Sequence, residues 1–134
     1  MYGISLPPII IATILSVLIG AVWYSKQCFG AIWAREAGVD VSSLNEQKIR
    51  TLVASALQHF VGIYILAHIL LIADAFPGVT AFTGGIWVAI LVAAVGMSPV
   101  IFEKKSVTYF FVTTGYTVVT IVLATLIIIR WPWA

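Results

Sequence analysis

Four stretches of this chain contain no Asp, Glu, Lys or Arg: Met1 to Ser25, Thr51 to Ala73, Ala75 to Phe102 and Ser106 to Ile129. A helix needs about 20 apolar residues to cross the hydrocarbon of a bilayer, and each stretch is long enough. Only 9% of the residues are charged, against about 25% in a soluble domain. The mean hydropathy of +1.12 agrees. The expected fold is all-α and integral to the membrane. Four transmembrane helices, about 5–25, 50–74, 82–102 and 107–130, form two antiparallel hairpins in a single domain over 1–134. Met1 to Ser25 is read as the first span and not as a cleaved leader. It has no basic n-region, and Trp23-Tyr24-Ser25-Lys26 is not a small-residue cleavage site.

The cations set an orientation. Lys26, Arg35, Lys48 and Arg50 fall between helices one and two, and Lys104 and Lys105 between helices three and four. Six of the seven Lys and Arg thus share one side, and Arg130 stands alone on the other. The positive-inside rule places loops 26–50 and 103–106 in the cytoplasm and both termini outside. The expected location is a bacterial inner membrane. A formal net charge of +2 is too small to suggest a nucleic-acid partner. The loop cations suit anionic headgroups at the cytoplasmic face. The one cysteine, Cys28, rules out an intrachain disulfide and a multi-cysteine metal site.

Local patterns refine this. Pro7 and Pro8 suit a helical first turn. Ala12, Ser16 and Gly20 recur every four residues, as do Gly85, Ala89 and Ala93. Such small-residue stripes suit close helix packing, with Thr113 and Thr117 as further packing positions on helix four. Phe29, Ile32, Trp33 and Ala37 share one side of a short segment, 29–37, read as an interfacial amphipathic helix. Ser43 and Glu46 fit a capping box ahead of helix two, which would then begin near Leu44. Pro77-Gly78 breaks the chain between helices two and three, and Ser98-Pro99 should loosen the end of helix three. Asp74 is read as a cap of the first of these turns. Glu103, Lys104 and Lys105 are read as a solvated loop with a local ion pair.

Chemistry, if any, would sit on helix two. Ionisable groups at membrane depth are functional candidates by default, and His59 and His68 lie there with Gln58 and Ser55. At about 100° per residue, a separation of nine puts the two histidines on opposite faces, roughly 13 Å apart along the axis. One helix therefore cannot offer both to one metal or haem. The bland alternative is interhelical hydrogen bonding, with His59, Gln58 and Ser55 bonding threonines of helix four or a neighbouring subunit. No phosphate loop, HExxH, CxxC or carboxylate pair within one helix occurs. No catalytic residue, metal or cofactor is expected, with a haem or pigment left open.

The stretch GAVWYSKQCFGAIWAREAG carries G-x-x-W-Y-S-x-x-x-F-G-x-x-W as Gly20, Trp23, Tyr24, Ser25, Phe29, Gly30 and Trp33. Further on, Phe102, Glu103 and Lys104 precede a helix with Gly115-Tyr116 in its middle. In both respects the chain resembles a family of small membrane proteins, domain of unknown function 1761. That pattern often has proline after the serine, where this chain has Lys26. The resemblance implies a four-helix membrane domain and no activity. It also makes the aromatic stretch a corner, expected to pack against the end of helix three or four, with Trp23 and Tyr24 in an aromatic belt.

Three functions follow as expectations. The first is a helix-packing accessory or self-assembling subunit of a membrane complex, without catalytic activity and present as a homo-oligomer or within a larger assembly. The second is a small oligomeric proton or solute transporter or channel using His59 and His68. The third is a haem- or pigment-associated subunit.

Overall fold

The computed structural model describes residues 3–40 and 49–132, and they form six helices and no strand. The expected capping box at Ser43 and Glu46 lies outside the described residues. Four helical stretches are long and apolar enough to cross a membrane.

Helix α1 (Leu6–Trp23) starts from an extended Ser5, with proline in its first turn where no N–H partner is needed. Pro8, Ile9, Ala12, Thr13 and Ser16 are its buried residues, a stripe at helical spacing. A tight corner follows. Phe29 N–H donates to the Trp23 carbonyl and Gly30 N–H to that of Ser25, both at 2.9 Å. Helix α2 (Gly30–Ala37) ends at Gly38, whose φ of 73° is the left-handed cap that glycine adopts without strain.

Helix α3 (Ile49–Asp74) buries Ile63, Leu66, Ala67 and Leu70. These sit at i, i+3, i+4 and i+7, one face of a helix. The turn after it contains Gly78 at φ 79°. Thr80 then caps α4 (Ala81–Gly96) by accepting the Thr83 N–H at 3.2 Å. The cap is Thr80 and not Asp74, whose carboxylate has no hydrogen bond among the described residues.

The third span divides, as Ser98-Pro99 predicts. Helix α4 stops at Gly96, and α5 (Ser98–Phe102) continues after Met97. Pro99 has no N–H, and its ring crowds the carbonyl one turn back. A left-handed Lys104, φ 56°, turns the chain into α6 (Val107–Arg130), capped by Ser106, which accepts the Tyr109 N–H at 3.0 Å. The expected ion pair around Glu103 does not form among the described residues. Instead Lys105 stands over the Tyr109 ring, 5.4 Å from its centre.

The long helices make a ring: α1 packs on α3 and α6, and α4 also packs on α3 and α6. Across the ring, α3 and α6 touch directly. The core gathers Ile9, Ala12, Ile63, Leu66, Ala67, Leu70, Ala124 and Ile128. Those from α1 lie near its start, and Leu70 and Ile128 lie near the ends of α3 and α6. This cluster therefore lies toward the Trp131 end. Outward faces are apolar, including Trp87, Ile90, Leu91 and Val95 of α4. Only 11% of the most apolar window of Ala81–Phe102 is buried. A soluble monomer does not expose apolar surface on that scale.

Both small-residue stripes lie inside the ring. Ala12 and Ser16 are fully buried, and a side chain at Gly20 would meet the Tyr116 hydroxyl at 2.7 Å. Gly85 faces Thr125 of α6, and Ala89 is buried. Ala93 is half-buried. Gly84, which the sequence reading passed over, faces Ala73 of α3. The Ser16 hydroxyl is buried and has no hydrogen-bond partner among the described residues. Leaving such a group unsatisfied costs about 1–3 kcal/mol. Ser16→Ala is therefore expected to raise stability by about 1 kcal/mol, read as a higher thermal midpoint in detergent; a lower midpoint would mean that the hydroxyl has a partner after all.

Candidate functional site

The two halves of the aromatic signature meet at one place. Trp23 points from the end of α1 into α6, and its indole N–H donates to the Val112 carbonyl at 3.0 Å. Its ring lies 3.5 Å from where a side chain at Gly115 would begin, so that glycine leaves room for it. Trp23 also packs on Phe29, with ring centres 4.7 Å apart, and lies 6.2 Å from Tyr116. Tyr24 meets Trp33 and Tyr116 edge to face, at 5.7 and 5.4 Å. Such aromatic pairs add about 0.5–1.5 kcal/mol beyond area burial. The corner therefore packs on the fourth span.

Phe102, Glu103 and Lys104 stay exposed and apart from this cluster. The acidic contact of the corner comes from Glu36, whose carboxylate accepts a hydrogen bond from the Ser106 hydroxyl. Ser25 turns back on its own chain, donating to the Val22 carbonyl at 2.7 Å. Burial, with Tyr116 and then Tyr109 nearby, pushes the Tyr24 phenol up to about 12. It stays neutral at any physiological pH.

Tyr116 joins the corner to helix α3. Its hydroxyl is 2.8 Å from the Ser16 carbonyl of α1 and 2.9 Å from His59 Nε2. The other ring nitrogen, Nδ1, is 2.8 Å from the Ser55 carbonyl and so must donate to it. The sequence reading gave His59 threonine partners on α6. Those threonines bond to their own helix instead: Thr113 to the Tyr109 carbonyl, Thr117 to that of Thr113 and Thr120 to that of Thr117. A tyrosine is long enough to cross the ring, and a threonine is not.

Beside this network lies a cavity of about 560 Å³ between α3, α4 and α6. Its polar wall is Ser55, Gln58, His59, Tyr116 and the three threonines, with Tyr24 at one edge. Its apolar wall includes Ile63, Leu66, Val88, Val92 and Ile121. Thr113 and Thr117 thus stand on a cavity wall and not only in a packing seam. Among the described residues no Asp, Glu, Lys or Arg lines it. Gly62 also lines it, and nothing lies within 4 Å of where a Gly62 side chain would begin. A smaller cavity, about 110 Å³, lies on the α1 side of the same tyrosine and shares Tyr24, Ser55 and Tyr116 with the larger one.

His68 is not brought to this site. It bonds to the Tyr64 carbonyl at 2.9 Å and packs on the Tyr64 ring with centres 4.6 Å apart. Both nitrogens of His59 are engaged by protein groups. Among the described residues no three His, Cys, Asp or Glu side chains gather where they could hold a metal ion. Cys28 is exposed on the corner.

What the sequence reading missed is Tyr116 as the partner of His59, and Gly62 as an open wall. The Gly-Tyr of the signature pointed to Tyr116; nothing local pointed to Gly62. Comparison with curated proteins and with solved structures gave no match. A family model does match residues 7–129, so nearly the whole chain, both halves of the signature included, belongs to the family described as protein of unknown function (DUF1761).

Proposed function

We propose that this membrane protein binds a small, uncharged molecule with a hydrogen-bonding end, in the cavity between α3, α4 and α6, as part of solute handling across or within the bilayer. The observation that carries this is the composition of the cavity wall. A volume of about 560 Å³ lies within the range of ligand sites, about 300–1,000 Å³. One wall is apolar and the other is polar without fixed charge. The threonine hydroxyls donate to their own helix, which leaves their lone pairs as acceptors. Gln58 adds an amide that can both donate and accept.

The packing-subunit reading drew on the two small-residue stripes. Ala12, Ser16, Gly20, Gly84, Gly85 and Ala89 all have partners within the chain. From Ala12 to Gly20 and from Gly85 to Ala89 neither stripe is left for another subunit, and this favours the solute reading. In the orientation that the positive-inside rule gives, the Trp23 end faces the cytoplasm of a bacterial inner membrane and α2 lies along its headgroups.

The test is a thermal-shift panel of small uncharged solutes on protein in lipid nanodiscs. A binder should raise the midpoint of the natural chain. Gly62→Phe puts a large ring on the open wall and should abolish that rise. A binder whose effect is equal in both proteins would place the site elsewhere and overturn the reading.

A further inference from the structure

The three shortest contacts of His59 and Tyr116 call for three hydrogens, and these two side chains, both neutral, supply two; the Ser55 hydroxyl stands further off, 3.5 Å from Nδ1. Ser55 and Ser16 offer carbonyl oxygens, which only accept. The contact at Ser55 therefore takes the hydrogen of His59 Nδ1, and the contact at Ser16 takes the hydroxyl hydrogen of Tyr116. The third contact, Nε2 to the Tyr116 oxygen at 2.9 Å, then needs a hydrogen on Nε2. We propose that His59 is a proton-binding site in the membrane, and that its loaded form is the imidazolium held by the Ser55 carbonyl and the Tyr116 oxygen.

In the neutral ring with its hydrogen on Nε2, a bare Nδ1 would face the Ser55 carbonyl at 2.8 Å; with the hydrogen on Nδ1, Nε2 is a bare acceptor. The Tyr116 hydroxyl must then turn to Nε2 and release Ser16, or keep Ser16 and leave Nε2 unbonded. Loading the proton thus fastens α1 to α6 through Tyr116, and unloading it frees one of the two bonds. The surroundings fit a site that exchanges protons. Tyr116 and Ser55 stand between the larger cavity and the smaller one. Each cavity has room for water, which occupies about 30 Å³ in the liquid.

Among the described residues no Asp, Glu, Lys or Arg lines either cavity, and the other titratable groups on their walls are Tyr24 and Tyr116. Among the described residues no carboxylate bonds to the ring. Its positive charge would face the dipoles of the Ser55 carbonyl and the Tyr116 oxygen. This inference rests on hydrogen-bond geometry and not on a solute in the larger cavity.

Ring nitrogen-15 spectra of histidine-labelled protein in bilayers test it, with His59→Gln identifying the His59 signals by their loss. Titration between about pH 5 and 8 covers the ordinary range of histidine. The expected result is a His59 signal set with both nitrogens protonated at the low end, converting to one bare nitrogen as pH rises. In Tyr116→Phe the acceptor for Nε2–H is gone, and the doubly protonated set should be lost at pH values where the natural chain shows it. One bare nitrogen at every pH in the natural chain would overturn the proposal, whether or not the variant folds. So would a doubly protonated set that Tyr116→Phe leaves unchanged.

Discussion

Replacing Gly30 with alanine is expected to destroy the corner and, with it, most of the folded protein. A side chain there would begin 2.6 Å from the Ser25 carbonyl oxygen and 2.7 Å from the Tyr24 carbonyl carbon. These are backbone atoms, so no rotamer change relieves the overlap. The backbone itself is fixed by the bonds from Phe29 to Trp23 and from Gly30 to Ser25. Opening the corner to admit a methyl group breaks those bonds and withdraws Trp23 and Tyr24 from α6. Overpacking costs typically about 1–3 kcal/mol and occasionally more; with two hydrogen bonds lost as well, roughly 4 kcal/mol is expected. Gly38→Ala is the graded comparison. Its φ of 73° is strained for alanine, but nothing lies within 4 Å, and about 1–2 kcal/mol is expected. Thermal unfolding in detergent should rank the two in that order. Equal midpoints would mean that the corner is looser than described.

A second large effect is expected at Gly85, where α4 crosses α6. Here the obstacle is a side chain, Thr125, with Cγ2 at 2.6 Å and Cβ at 3.0 Å from the position of the new carbon. Thr125 is 1% exposed and its hydroxyl bonds to the Ile121 carbonyl, so it has little freedom to move. Gly85→Ala should cost about 2 kcal/mol, after a gain of about 1 kcal/mol from helix propensity is set against the overlap. Thr125→Ala removes Cγ2 and the hydroxyl but not Cβ, and should restore about half of that loss. The two changes must therefore be non-additive, as expected for residues in contact. A double-mutant cycle that closes additively would show that α4 and α6 do not meet at this level.

The four spans were legible because charge is absent from hydrocarbon for a reason that operates locally. The break before Pro99 was legible on the same terms, since it depends on one residue and its immediate backbone. The site was half legible. His59, Ser55 and Gln58 stand out in the sequence by polarity alone, and all three line the cavity. His68 stands out equally and lies elsewhere, because a histidine can bond to its own helix one turn back. Periodicity along one helix says which residues share a face, but not which face another helix will cover. The pairing of His59 with Tyr116 spans 57 residues and no local rule reaches across them. Glu36 and Ser106 are further apart still, and the expected partners of Glu103 were chosen only because they were adjacent.

The corner also fixes an order of assembly. Its residues are synthesised early, yet the partners of Trp23, Tyr24 and Glu36 are Val112, Tyr116 and Ser106. Trp23 and Val112 are separated by 89 residues, which at about 5–20 residues per second is a wait on the order of 5–20 s on the ribosome. During that wait the indole N–H has no α6 to bond to, and the aromatic rings stand without their scaffold. The last span to be made is the one that completes the first bend.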